Sequence, residues 1–205
     1  MKIRRVHPEQ ANDYCCNIYW VAGDPGNPRD ANTLVDVGSS HSGTLDAVLA
    51  GIADLPKGIG RRPVEQVVLT HGHYDHAGAL AAVVERFHPV VHAFQAGPGV
   101  SDLVVDGQWL RLGSLDVRVL HTPGHSEDSI CLFCPETREL FSGDTLYRIS
   151  EGGGAYPACY VRSLERLQAL RPAVIYPGHG EPIARDAEGF IASALAGVQA
   201  SILQP

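Results

Sequence analysis

Residues 70–78, THGHYDHAG, carry His71, His73, Asp75 and His76 within six positions. Neutral imidazole is the commonest side-chain metal ligand, and carboxylate oxygens share its first-row metals. A solvated polar turn is the plain alternative, but this crowding of ligand types favours a metal site. The motif follows the apolar run VEQVVLT at 64–70, so it starts where a buried strand ends. Along an extended segment, side chains two apart point the same way, which lets His71 and His73 converge on one ion. Asp75 and His76 are adjacent, lie where the next helix begins and must point elsewhere. They suit a second ion beside the first.

Four ligands cannot complete two metal shells, so other segments must contribute. Three later stretches share one design, a strand that runs into a glycine and then a ligand type. They are VRVLHTPGHS (117–126), ending at His125; ELFSGDT (139–145), at Asp144; and AVIYPGHG (173–180), at His179. A glycine just before the ligand permits a sharp bend that turns the side chain out of the sheet. His7, His41, His88 and His92 lack this context. His121 lies within a strand two residues before Pro123 and is a weaker candidate.

The bulk numbers agree with a globular protein. The 205 residues fit one domain, 1–205, and 44% apolar residues supply a core. The net charge of −7, with basic residues scattered singly or in pairs, argues against nucleic acid as a partner. The apolar runs are too short for a membrane helix, and the start MKIRRVHPEQANDY lacks the apolar stretch of a signal peptide, so a cytoplasmic location is the expectation. The sequence leaves the oligomeric state open. Cys15, Cys16, Cys131, Cys134 and Cys159 are odd in number, which argues against a full disulfide framework. Cys131 and Cys134 fall in the strand-like SICLFC, where odd spacing sends the two thiols to opposite faces as core residues.

Apolar periodicity predicts strands at 14–21 and 32–37, with a loop at 22–32 between them, and a helix over 42–55 with Ser42 as its N-cap. It then predicts a strand at 64–70, a helix over 77–87, strands in PVVHAF and in QWLRLGSLDVRVLHT (folding back at Gly113–Ser114), and strands in SICLFC and ELFSG. The last third reads as helix VRSLERLQAL, strand AVIYP and a helix from about 186 to 203, while SEGGGAYP (150–157) reads as a mobile loop. Strands crowd the middle and helices recur toward both ends, which predicts mixed α/β with more than one sheet.

THGHYDH, PGH, SGD and PGHG, in this order, resemble the signature of the metallo-β-lactamase superfamily over essentially the whole chain. The resemblance implies a four-layer αββα sandwich, two mixed sheets face to face with helices outside and metals at one edge. It implies a first metal site of His71, His73 and His125, and a second of Asp75, His76 and His179, with Asp144 bridging both. TLVDVG resembles the family's early strand and would set Asp36 beneath the metal loop, supporting a ligand. The cofactors implied are two divalent ions, Zn2+ first and Fe or Mn as alternatives.

Asp144 selects the branch. β-Lactamases of this fold usually carry Cys or Ser there, whereas a bridging carboxylate resembles glyoxalase II-like hydrolases, lactonases and phosphoesterases. The implied function is hydrolysis of a small-molecule acyl ester or thioester, as by hydroxyacylglutathione hydrolases, with Asp75 and Asp144 among the catalytic groups and a hydroxide bridging the metals. Two departures stand out. The stretch after His179 reads as one helix rather than a glutathione-binding helical domain, and GDTLYRISEGGGAYP replaces the family's Gly-Cys-Gly element. The second departure weakens both glyoxalase II proper and a mononuclear iron persulfide dioxygenase, which stays as an alternative outside hydrolysis. Tyr147 is similar to a lactonase tyrosine that polarises the substrate carbonyl, so a lactonase is an alternative, as is a phosphodiesterase or ribonuclease of the same fold.

Overall fold

A computed structural model describes residues 3–7, 14–56, 58, 60–146 and 154–204. The first half of the chain runs β1 (Ile3–His7), β2 (Ile18–Val21), β3 (Thr33–Val35), α1 (Ser42–Ala53), β4 (Gln66–Val68), α2 (Tyr74–Ala77), α3 (Leu80–Phe87), β5 (Val90–Ala93) and β6 (Asp102–Leu103). The second half runs β7 (Trp109–Leu112), β8 (Leu115–His121), β9 (Ile130–Cys134), β10 (Glu139–Gly143), β11 (Ala155–Pro157), α4 (Ala158–Leu170), β12 (Val174–Pro177), α5 (Ala187–Gln199) and β13 (Ile202–Gln204).

Among the described residues the strands form a six-stranded sheet in the order β1-β2-β3-β4-β5-β6 and a five-stranded sheet in the order β12-β10-β9-β8-β7. Both are mixed. β1, β2 and β3 pair antiparallel and β3 to β6 parallel, whereas in the second sheet only β10 and β12 are parallel.

Three apolar clusters show the layering, because alternate residues of one strand enter different clusters. Tyr19 and Val21 of β2 and Val68 of β4 face inward against Val117 and Val119 of β8, Leu132 of β9 and Phe141 of β10, filling the space between the sheets. Their neighbours Ile18, Trp20 and Val67 point the other way, onto Val48 and Ile52 of α1 and Val83 and Phe87 of α3. On the far side, Leu120, Phe133 and Leu140 meet Leu164 and Leu167 of α4 and Ile191 of α5. The result is the expected αββα order. Strands buried on both faces also explain why runs such as ICLFC are continuously apolar. Cys131 and Cys134 obey the expected parity, one in the outer cluster and one between the sheets, and both are fully buried.

Several local expectations need correction. Residues 14–17 are not strand: Cys16 and Asn17 give their backbone N–H groups to Asp75 and Gly178 carbonyls, so the segment braces the metal edge. The N-cap of α1 is His41, and Ser42 is the first helical residue. The helix expected over 77–87 is broken into α2 and α3. The last helix ends at Gln199, and residues 202–204 pair in parallel with β11, which itself occupies part of the stretch read as a mobile loop. Such pairing between distant short segments leaves no periodic trace in either one. Residues 150–153 of that stretch lie outside the described residues. No described helix is long and apolar enough to cross a membrane.

Candidate metal centre

Each ligand segment leaves the C-terminal end of a strand at the same edge of the sandwich: residues 71–76 after β4, His125 after β8, Asp144 after β10 and His179 after β12. Hydrogen bonds stitch these ends together. Ile130 N donates to Thr70 O (2.8 Å) and Gly178 N to Gly143 O (2.9 Å). Asn17 Nδ2 donates to Pro177 O (3.0 Å) and Gly180 O (2.7 Å), and Tyr19 Oη to Pro177 O (2.8 Å), so β2 holds the His179 loop from beneath.

Two of the glycines are required by the packing. Gly143 has φ +47°, and a Cβ there would run into Thr70 Oγ1 and Cβ. A Cβ at Gly178 would press on Asp144 Oδ1 and on His76 Cε1. The Asp144 and His179 turns can therefore approach the His76 loop only because these positions lack side chains.

The seven residues gather into two adjoining groups. His71, His73 and His125 form one, and Asp75, His76, Asp144 and His179 the other, with the ligand atoms of each group within 4.8 Å of one another. In the first, His73 Nδ1 lies 3.0 Å from both His71 Nε2 and His125 Nε2. One Nδ1 carries at most one proton, so three ring nitrogens meeting at a point satisfy each other poorly. Nitrogens on one tetrahedral zinc, about 2.0–2.1 Å from it, would be about 3.3 Å apart, so a slight opening of the cluster accommodates a cation.

In the second group His179 Nε2 sits 3.1 Å from Asp75 Oδ2 and 3.4 Å from Asp144 Oδ2. His76 Nε2 faces Asp144 Oδ1 at 3.2 Å, yet these two buried atoms complete no hydrogen bond. Buried polar atoms left without partners are costly, and converging lone pairs of this kind fit a metal ion. Asp144 lies between the groups: the Oδ2 that is near His179 is also 3.6 Å from His125 Nε2.

The surroundings prepare these groups as ligands. Burial pushes the His71 imidazole down to about 2, which leaves it neutral, and burial also lowers His125. Burial opposes charge on Asp144 as well, but the His179 and His76 imidazoles outweigh it and hold the carboxyl far below the usual range. The His179 contact lowers Asp75 too. Burial disfavours a charged His76, but Asp36 and Asp144 flank it and push it up to about 10, so an ion taken by this ring would have to displace a proton at neutral pH.

Asp36 is buried where expected, beneath the loop. Its Oδ1 accepts from Thr70 N (2.7 Å), while Oδ2 accepts from Thr70 Oγ1 (2.8 Å) and lies 2.8 Å from His76 Nδ1. That bond holds a proton on Nδ1, so the nitrogen an ion would take is Nε2, which faces Asp144. Cys16, Asp36 and His76 also cluster, all buried. Burial raises the Cys16 thiol well above its ordinary range, and His76 Nδ1 is already committed to Asp36, so this trio supports His76 rather than forming a third ion site.

Sequence reasoning missed two supporting residues. Cys16 is one. Asp128 is the other: its Oδ2 accepts from Gly72 N (2.8 Å) and its Oδ1 from Ser126 Oγ (2.7 Å), tying the loop of His71 and His73 to that of His125. Asp128 belongs to no spacing motif, so nothing local marked it. His121 stays out of both groups; its Nε2 faces Glu127 O at 2.8 Å and its ring stacks on Phe94. Tyr147 lies outside the described residues.

The chain is similar to known proteins. An atrochrysone carboxyl ACP thioesterase of Aspergillus fumigatus is 33% identical over 83% of this chain and 42% of its own length. A hydroxyacylglutathione hydrolase of Rhodopseudomonas palustris is 36% identical over 55% of this chain and 47% of its own. The chain thus spans less than half the length of either relative. The crystal structure of TTHA1623 in a di-iron-bound form superposes with a TM-score of 0.63 at 28% identity, over 91% of this chain and 96% of that one. The profile described as the metallo-beta-lactamase superfamily matches residues 13–179, from the segment that braces the metal edge to His179 itself, and with the two facing sheets and the His/Asp groups at their edge it shows that the chain belongs to that superfamily.

Proposed function

We propose that this protein is a dinuclear metal-dependent hydrolase of small acyl thioesters or esters. The observation that carries the reading is the position of Asp144, whose carboxylate reaches ring nitrogens of both groups at 3.2–3.6 Å. His71, His73 and His125 would hold one ion, Asp75, His76 and His179 the other, and Asp144 both. Two divalent ions held by these residues would supply a nucleophile at neutral pH and a Lewis acid for the substrate oxygen. The protein's own part is to keep His71 neutral, Asp75 and Asp144 ionised, and His76 aimed through its bond to Asp36. The relatives' names, an ACP thioesterase and a hydroxyacylglutathione hydrolase, support a thioester as substrate. The di-iron form of the structural relative supports two ions and keeps iron beside zinc as the native metal.

Two measurements test this. Elemental analysis of protein purified without chelator should find close to two transition-metal ions per chain, and that protein should hydrolyse acyl thioesters while leaving β-lactams intact. A single iron per chain, or cleavage of phosphodiesters alone, would replace the reading.

Asp128 offers a further check. Asp128→Ala cuts the tie between the two loops of the first group without removing a ligand. The expected outcome is about 10–100-fold weaker metal retention, concentrated in one of the two ions, as measured by chelator competition. Unchanged retention of both ions would show that the loops hold their positions without it.

A further inference from the structure

A cavity of about 390 Å³ opens on the metal edge, between the start of α3 and the segment that follows β5. Its walls are apolar, with Leu69, Leu80, Phe94 and Val100 among them. His71, Gly72 and Asp128 also line it, so it adjoins the first ligand group directly. Phe94 is held in place by its stacking on His121, with ring centroids 3.9 Å apart and planes within 10°. The wall is therefore formed in advance, and the size and lining are those of a small-molecule site. A hollow of about 250 Å³ beside His179, lined by Leu146, Ile183 and Phe190 together with Glu181, is smaller. The His71 side therefore offers the greater room for an apolar group attached to the reacting carbonyl.

We propose that this cavity receives the acyl chain of the substrate, so that the preferred thioesters carry an aliphatic acyl group of several carbons rather than a short or hydroxylated one. The proposal rests on the thioesterase reading given above and adds the substrate class to it. Each methylene transferred from water into such a site contributes roughly two- to fourfold in kcat/KM.

The test uses the metal-loaded protein and N-acetylcysteamine thioesters from acetyl to octanoyl, with a lactoyl thioester for comparison. The expected result is a kcat/KM that climbs with chain length, with lactoyl near the bottom of the series. Ala81 and Ala96 line the cavity from exposed positions, so a tryptophan at either can fill it without entering the core. In Ala81→Trp and in Ala96→Trp the octanoyl-to-acetyl ratio of kcat/KM should fall about tenfold or more. Good turnover with a flat length profile, or with lactoyl preferred, would overturn the cavity assignment and leave the thioesterase reading standing. If no thioester of any length is hydrolysed, it is the thioesterase reading that fails. The cavity is then judged by calorimetry with octanoate: binding that Ala81→Trp abolishes supports an apolar-chain site, and no binding overturns it.

Discussion

Asp144→Ala is expected to lose metal and hydrolysis together, the largest effect of any single change in this protein. The carboxylate is buried, ionised and within 3.2–3.6 Å of His76, His125 and His179, which come from both ligand groups. Its removal takes a ligand atom from each proposed ion and a negative charge from a site that must hold four positive ones. The loss should exceed the about 10–100-fold that follows when only an outer hydrogen-bonding partner is removed. His179→Ala removes a ligand from one group only and should leave one ion per chain. Metal content and thioesterase rate measured on the two variants distinguish the cases, with a thermal melt to confirm that each is folded. An Asp144→Ala protein with two ions and full rate would end the bridging assignment.

Asp36→Asn is the second large effect, although Asp36 touches no proposed ion. Asp36 sits at φ 59°, a left-handed conformation that asparagine tolerates well, so the backbone is not what this substitution tests. The change acts on His76. As a carboxylate, Asp36 Oδ2 accepts from Thr70 Oγ1 and pairs with His76 Nδ1, which fixes the proton on that nitrogen. An amide has one oxygen, and Thr70 N and Oγ1 compete for it. The amide N–H₂ then faces His76 Nδ1, which must accept instead of donate. The ring proton moves to Nε2, the atom aimed at Asp144, and the lone pair needed for a metal is gone. Metal affinity of the second group should fall about 10–100-fold while the first group keeps its ion. Calorimetric titration of metal into stripped protein reads both steps. Equal weakening of the two would indicate general loosening of the loop rather than a tautomer change.

Much of this centre was legible because it is local. His71, His73, Asp75 and His76 lie within six positions; a spacing of two pairs His71 with His73, and the start of the next helix sets Asp75 and His76 apart. The strand–glycine–ligand pattern marked His125, Asp144 and His179 as candidates one segment at a time. The αββα order was less legible from the residues themselves. Apolar runs buried on both faces, such as ICLFC, look alike whichever layers cover them, and the resemblance to the superfamily supplied the order that the three core clusters then displayed.

By itself, then, the sequence marked which side chains are candidate ligands, since ligand type and a preceding glycine are properties of short segments. Tertiary structure alone decided how they combine. The shared position of Asp144 depends on Gly178 letting the loops after the parallel strands β10 and β12 touch, and on Gly143 letting the Asp144 turn close on Thr70. Asp128 and Cys16 matter only through contacts with residues 56 and 59 positions away in the chain, Gly72 and Asp75. The cavity beside His71 likewise exists only where the segment after β5 packs across the start of α3. Contacts at such separations follow from how strands are ordered and paired, and no spacing within a single segment encodes them.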